Sequence, residues 1–180
     1  MVTIDELANT GSISKRYDQK WSIFKENTAI RFFDEFRYFT NIKVLGAGSF
    51  QQCKNLERIT FPAGVKEIAG YYLDNTAISK IVVPEGVEIV GVAFVASCQR
   101  LEYIEFPSSI QSIGSNLMYK SYATPVVVVK AATPPSFGGF GWYNNGTIIY
   151  VPEGSVSAYQ SHDNWKSLAA AIKPLSEYAG

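Results

Sequence analysis

The sequence predicts a β-rich solenoid of four to five rungs, each 22–23 residues long, closed by an aromatic cap at its N-terminal end and a helical cap at its C-terminal end. Three observations carry that prediction. The segment Leu56-Glu-Arg-Ile59-Thr-Phe61-Pro62 returns as Ile78-Ser-Lys-Ile81-Val-Val83-Pro84 and again as Leu101-Glu-Tyr-Ile104-Glu-Phe106-Pro107, with the prolines 22 and then 23 residues apart. Ile and Val together number 31 against 8 Leu, and 25 residues are aromatic, a balance that favours strands over long helices. Hydrophobic residues make up 47% of the 180 and charged residues 18%, which is enough apolar surface for a packed core and too much for a disordered chain.

The unit can be read element by element. Residues one and three before each proline share one strand face, because strand side chains alternate with period two. Those pairs are Ile59/Phe61, Ile81/Val83 and Ile104/Phe106, all apolar and therefore inward. Two weaker copies continue the register as Val127/Val129, with Lys130 in the proline slot, and Ile149/Val151 before Pro152. Proline closes each strand since it has no N–H for the ladder. Apolar residues three and six after the proline (Val65 and Ile68, Val87 and Val90, Ile110 and Ile113) build an opposite wall. Tyr72, Phe94 and Leu117, ten after the proline, fill the interior, and Leu45 and Phe50 match the first half of an earlier unit.

No single unit can bury its own apolar face, so stacking is obligatory and the ends need lids. Residues 44–152 form the solenoid. Residues 1–43 lie outside the repeat and are dense in aromatics: Trp21, Phe24, Phe32, Phe33, Phe36 and Phe39. There Asp34 is placed to N-cap a short helical turn that carries Phe36 and Phe39 inward. Residues 153–180 form the second cap. Within it 153–175 reads as helical, with Ser155 as N-cap and a broken apolar stripe of Val156, Tyr159, Trp165, Leu168 and Ile172. The whole chain is one structural domain.

The order large apolar, two residues, Ile, one residue, apolar, Pro, then Val-x-x-Ile, Phe, Cys or Asn, and Leu resembles the BspA-like leucine-rich repeats of Bacteroidetes surface proteins. Phe33-Asp-Glu-Phe-Arg-Tyr-Phe39-Thr, Ala132-Thr-Pro-Pro135 and Ile149-Tyr-Val-Pro-Glu-Gly-Ser-Val-Ser-Ala-Tyr159 resemble that family's entry and exit segments, so the likeness runs from about Ile30 to about Ile172. It implies a leucine-rich-repeat solenoid, exposed at the cell surface or secreted, that adheres to or binds host proteins. No Asp-x-Asp-x-Asp run precedes Ile4-Asp-Glu-Leu-Ala, so the calcium loop found in some members is not carried over.

Charge and motifs narrow the function classes. Sixteen basic and sixteen acidic residues give net charge 0, which argues against nucleic acid as a partner. The Val126–Val129 run is far short of the roughly 20 apolar residues of a membrane helix, so no membrane insertion is expected. Asp5, Glu6, Lys15, Arg16, Asp18 and Lys20 break the first thirty residues, and no signal peptide is expected in this chain. Leu45-Gly-Ala-Gly-Ser-Phe50 imitates a kinase glycine loop, but no lysine strand, catalytic Asp loop or Asp-Phe-Gly follows. His162 is the sole histidine, and the carboxylates Glu85, Glu88, Glu102 and Glu105 sit at turns or on strands as surface charges. No enzyme, metal or cofactor is expected.

Cys53 and Cys98 fall at one repeat position, with Asn75 between them and Ser121 beyond. Two rungs of about 4.8 Å separate them, too far for a disulfide, so both should be buried free thiols.

Two places could bind a ligand. Outward strand positions read Arg58, Lys80, Tyr103, Val126, Ile148 and Thr60, Val82, Glu105, Val128, Tyr150, charged at the N-terminal end and apolar toward the C-terminal end. The apolar positions Tyr103, Val126, Val128, Ile148 and Tyr150 make a candidate contact face for a protein ligand. The competing reading is that residues 153–175 fold back over it. The second place is the loop Phe137–Gly146, where Trp142 could stack on a sugar ring, while Phe140 and Tyr143 fall at core positions. The leading expectation is noncatalytic protein recognition or adhesion; a carbohydrate-binding module using loop aromatics and a structural spacer of a larger surface protein are the alternatives.

Overall fold

Short strands alternating with tight turns are what the 22–23-residue period requires, and the computed structural model builds them over the residues it describes: 24–123, 125–141 and 146–179. In chain order the strands are β1 (Phe32–Phe33), β2 (Val44–Leu45), β3 (Arg58–Ile59), β4 (Glu67–Ile68), β5 (Lys80–Val82), β6 (Ile89–Val90), β7 (Tyr103–Phe106), β8 (Ser112–Ile113), β9 (Val126–Val129), β10 (Ser136–Phe137), β11 (Ile148–Val151) and β12 (Ile172–Pro174). All pairings between them are parallel.

The strands leading to each proline stack as the first wall. Lys80 lies beside Tyr103, Tyr103 beside Val126 and Val126 beside Ile148, so the outward positions form columns along the solenoid. The opposite wall runs β2, β4, β6, β8, β10 without interruption. A third side is closed by turns whose backbone also forms a rung-to-rung ladder. Phe50 N–H donates to Tyr72 O at 3.1 Å, Leu73 to Phe94 O at 3.0 Å, Val95 to Leu117 O at 3.1 Å and Met118 to Phe140 O at 3.1 Å.

That third side depends on two left-handed residues per turn, four apart: Tyr71 and Asn75, Ala93 and Ser97, Asn116 and Lys120. Each costs a non-glycine residue about 1–2 kcal/mol, offset by hydrogen bonds that would otherwise be orphaned. Glycine is demanded at the corner after the second wall. A Cβ added to Gly114 would lie 2.5 Å from the Gly91 carbonyl carbon, and one added to Gly138 would lie 2.5 Å from Ser115 N.

The interior is a column of fully buried side chains, Phe50, Tyr72, Phe94 and Leu117, between inward Ile81, Ile104, Val127, Ile149 and the Val and Ile residues of the second wall. Cys53 and Cys98 are both free and buried, as the stacking distance requires. Burial pushes the Cys98 thiol up to about 11. The residue aligned with them is Thr76, not Asn75: Thr76 Oγ1 lies 3.3 Å from Cys98 Sγ, while Asn75 takes the preceding left-handed position and donates from Nδ2 to Gln52 Oε1 at 2.7 Å. The 22-residue spacing is shortened after this point, so counting back from Pro84 slips by one.

At the N-terminal end Phe24, Phe33, Phe36 and Phe50 pack ring against ring, with Phe24 stacked on Phe50 at 4.9 Å. Phe36 is buried on a 3-10 turn over Asp34–Tyr38, and Phe39, the residue that ends it, is buried too. Asp34 does not cap that turn; its carboxylate accepts from the Arg58 guanidinium and from Thr60 Oγ1, because an arginine fork offers charge-assisted bonds that a backbone N–H does not match.

At the other end the helical expectation holds only in part. An α-helix, α1, covers Val156–Ser161, a 3-10 stretch covers Lys166–Ala171, and Ile172–Pro174 is strand β12, paired with β11. The residue before a proline is disfavoured in helix, and the free edge of β11 offers Ile172 a ladder instead. Ser155 stands at the helix start without capping it; its hydroxyl donates to Ala132 O at 2.7 Å. Trp165 stacks on Phe137 at 4.4 Å and donates from Nε1 to Pro135 O, and the Tyr159 hydroxyl donates to Ala131 O, so the apolar stripe plugs the end of the core.

Candidate interaction surface

The outer face of the first wall divides into two halves. On the C-terminal half, strands β7, β9 and β11 carry Tyr103, Val126, Val128, Ile148 and Tyr150 outward. Tyr178, on the chain beyond β12, places its ring 5.9 Å from Tyr103 and 5.1 Å from Tyr150, bridging the strand between them. Val128, on that strand, is 1% exposed and Tyr150 8%, while Tyr103, Val126 and Ile148 are half-buried. The cover comes from the last residues of the chain, after the helical stripe has gone into the solenoid end.

A polar cluster lies alongside. The Tyr103 hydroxyl donates to Glu105 Oε2 and Lys130 Nζ donates to Glu105 Oε1. Burial opposes the charge on Glu105, yet the bonds from Lys130 and Tyr103 hold its carboxyl below the ordinary range. Burial and the neighbouring Glu105 together push the Tyr103 phenol up. These groups satisfy one another's hydrogen bonds.

The N-terminal half is open. Phe32 on β1 is 48% exposed and Val82 on β5 46%. The Phe32 ring carries the Arg31 and Arg58 guanidinium groups at 5.2 and 4.9 Å, a cation–π arrangement that holds it upright in solvent. Arg31 pairs with Glu57 and Arg58 with Asp34. Arg58 beside Asp34 holds that carboxyl below its usual range against a smaller burial effect. Val82 falls in the outward column by sequence, and Ile81-Val82-Val83 breaks the apolar–polar alternation there, the one signal in the chain that marks it. Phe32 was hidden among the aromatics assigned to the cap.

The remaining candidates separate. Phe137 and Phe140 are buried against each other at 4.9 Å, and Trp142 lies outside the described residues. His162 Nδ1 accepts from Asn164 N–H while the Asp163 carboxylate pairs with Lys166, so each of the His–Asp neighbours bonds to another partner. Leu45 and Phe50, ends of the kinase-like glycine loop, are both core residues. Among the described residues no group of three His, Cys, Asp or Glu is placed to hold a metal, and no helix is long and apolar enough to cross a membrane.

Residues 23–133 match the family model described as BspA type leucine rich repeat region, in 6 copies. Among solved structures the chain is similar to a leucine-rich repeat protein from Bacteroides ovatus, at 17% identity and a TM-score of 0.37 over 66% of this chain. The match spans 39% of that protein's chain. No curated protein matches.

Proposed function

The chain belongs to the BspA-type leucine-rich repeat family, and on that premise we propose that it is a noncatalytic protein-recognition module working at or outside the bacterial surface, with a host extracellular protein as the ligand class. The body over 44–152 is read as four to five stacked turns, closed by caps over 1–43 and 153–180. The observation that carries the reading is the open half of the first wall, where Phe32 and Val82, 48% and 46% exposed, set apolar surface among Arg31, Arg58 and Lys80. An aromatic ring held between guanidinium groups beside an exposed aliphatic is the mixture that protein interfaces favour.

The covered residues Tyr103, Val126, Val128, Ile148 and Tyr150 serve on this reading as the seat of the C-terminal tail, with Tyr103 at the margin of the contact area. Trp142 belongs to the carbohydrate-binding alternative, which loses Phe140 to the core.

Two measurements test the proposal. Protease shaving of intact producing cells should release peptides of this chain; release only after lysis would remove the surface location. A panel of host matrix proteins and mucin glycans should then yield a protein ligand whose binding falls at least tenfold in the Phe32→Asp, Val82→Asp double variant. Sugar binding lost with Trp142→Ala would favour the carbohydrate alternative, and silence across the panel would favour the spacer.

A further inference from the structure

The C-terminal segment is anchored unevenly. Up to Pro174 it is tied to the solenoid by main-chain and buried side-chain bonds: β12 is laddered on β11, the Tyr159 hydroxyl donates to Ala131 O, and Trp165 Nε1 donates to Pro135 O. Pro174 has no N–H with which to carry the ladder further. Beyond it, Leu175–Glu177 forms a 3-10 turn with no buried residue. Among the described residues the polar contacts of this tail are local. Tyr178 N–H donates to Leu175 O, and Glu177 lies 3.8 Å from Lys173 in an exposed pair. A segment held in this way opens at a far lower free energy than the core beneath it.

The seat of the tail is shaped for a ring. Tyr103 stands on β7 and Tyr150 on β11, and Val126 and Val128 lie between them on β9. The Tyr178 ring lies 5.1 Å from Tyr150 and 5.9 Å from Tyr103, tilted by 48° and 30°. Aromatic walls and an aliphatic floor favour a ring over an aliphatic chain, since ring pairs gain beyond the area they bury. Without the ring this patch would run directly into the open half of the wall, because Lys80 lies beside Tyr103 and Val82 beside Glu105.

We infer that residues 175–179 are a strap that holds the C-terminal half of the first wall closed, and that a partner engages this half by setting an aromatic side chain into the seat that Tyr178 leaves. The tail itself shows the chemistry of the occupant: a short segment presenting one tyrosine ring, as Leu175-Ser-Glu-Tyr178 does. Closed, the strap keeps Val128 and Tyr150 from solvent; open, it extends the contact face from Val82 to Tyr150. The inference rests on the recognition reading above and adds to it a closed state and the chemistry of the competing ligand.

The test uses the full chain carrying Val128→Cys, with Cys98, fully buried in the core, as the internal clock for global unfolding. Under native conditions a thiol reagent should label position 128 at least tenfold faster than Cys98, and Tyr178→Ala should raise that ratio at least tenfold further. In the Tyr178→Ala protein an N-acetylated Leu-Ser-Glu-Tyr-Ala-Gly peptide in millimolar excess should slow labelling at position 128 at least threefold, and the same peptide with alanine for tyrosine should not. If Val128→Cys fails to fold, the same ratios are read from Val126→Cys on the same strand. Labelling of both thiols at one rate would mean that the tail leaves only with global unfolding. A ratio indifferent to Tyr178→Ala, or equal effects of the two peptides, would mean that the seat reads no ring. Each of these overturns the inference. A panel protein that binds the native chain and Tyr178→Ala equally well overturns the strap and leaves the recognition reading standing. If labelling and peptides behave as expected but no panel protein binds either form, the strap stands and the host-protein reading falls.

Discussion

On the C-terminal half of the first wall, Val128 and Tyr150 face outward on their strands and are nevertheless buried, since Tyr178 closes over the strands that carry them. On the N-terminal half, Val82 occupies the same column and Phe32 flanks it, and both stay near half exposed. Equivalent strand positions therefore meet opposite fates along one sheet. The difference teaches that apolar character in an outward column marks surface that needs covering, and that the chain's own tail takes the patch without arginines. The patch left open is mixed with cations, where covering would strip water from Arg31, Arg58 and Lys80 at a cost of several kcal/mol for any charge left unpaired.

The most severe way to break the comparison is to remove residues 153–180. That deletion uncovers Val128 and Tyr150, frees the edge of β11 and takes Trp165 off Phe137. The truncated chain should aggregate on expression, since an open parallel edge recruits other chains; a soluble monomer in sedimentation would show that the two halves do not differ in the way argued. Next in size is a matched pair of double variants. Val128→Ser with Tyr150→Ser should lose about 3–5 kcal/mol, from transfer of buried groups and the cavities left behind. That corresponds to a fall of about 10 °C in Tm. Phe32→Ser with Val82→Ser should change stability by no more than about 1 kcal/mol, two surface substitutions of roughly 0.5 each.

Two buried tyrosines sharpen the contrast at the level of one hydroxyl. Tyr159, in the C-terminal segment, donates to Ala131 O, whereas the Tyr72 hydroxyl, in the N-terminal part of the core, has no partner among the described residues. Tyr159→Phe should cost about 1 kcal/mol and Tyr72→Phe should gain about as much, because an unsatisfied buried hydroxyl is a net loss. Urea midpoints moving in the same direction for both would contradict the hydrogen-bond assignment. The smallest effect concerns the ion pair beside Phe32. The Asp34 carboxyl is lowered by Arg58, so its contribution is present above the unfolded value of about 3.9 and lost as pH falls through the lower folded value. The Tm gap between the protein and Asp34→Asn should thus be constant near neutral pH and close below about pH 4. A gap independent of pH down to 2 would mean that the pair contributes nothing.

Much of the solenoid was legible in the spacing of Pro62, Pro84 and Pro107, because each proline fixes a strand end and the period-two rule then assigns every side chain around it to core or surface. The large buried residue ten after each proline and the two free thiols followed from the same arithmetic. The corrections fall where competition between partners decides the outcome. Asp34 had a turn to cap and an arginine to bind, and the charged partner won. Ile172 could extend a helix or join an open edge, and Pro174 two residues on tipped it into the sheet. The Asn75 assignment was one residue out because the turn between Thr76 and Pro84 is one residue shorter than its counterparts, which the distance between prolines does not reveal.

The amino-acid sequence by itself determined the repeat, its register on the two β walls, the buried column and the need to cover the ends, since these depend on periodicity and on side-chain polarity within one turn of the chain. Only the tertiary structure decided which outward positions meet solvent. That outcome depends on where Tyr178 lands after the strands have been placed, and on the loss of one ladder between β3 and β5, beside which Ile59 and Phe61 keep 7% and 6% exposure. Local patterns carry no record of such encounters because the residues that meet are far apart along the chain, and the favourable contact is chosen from all surfaces available once the walls have formed.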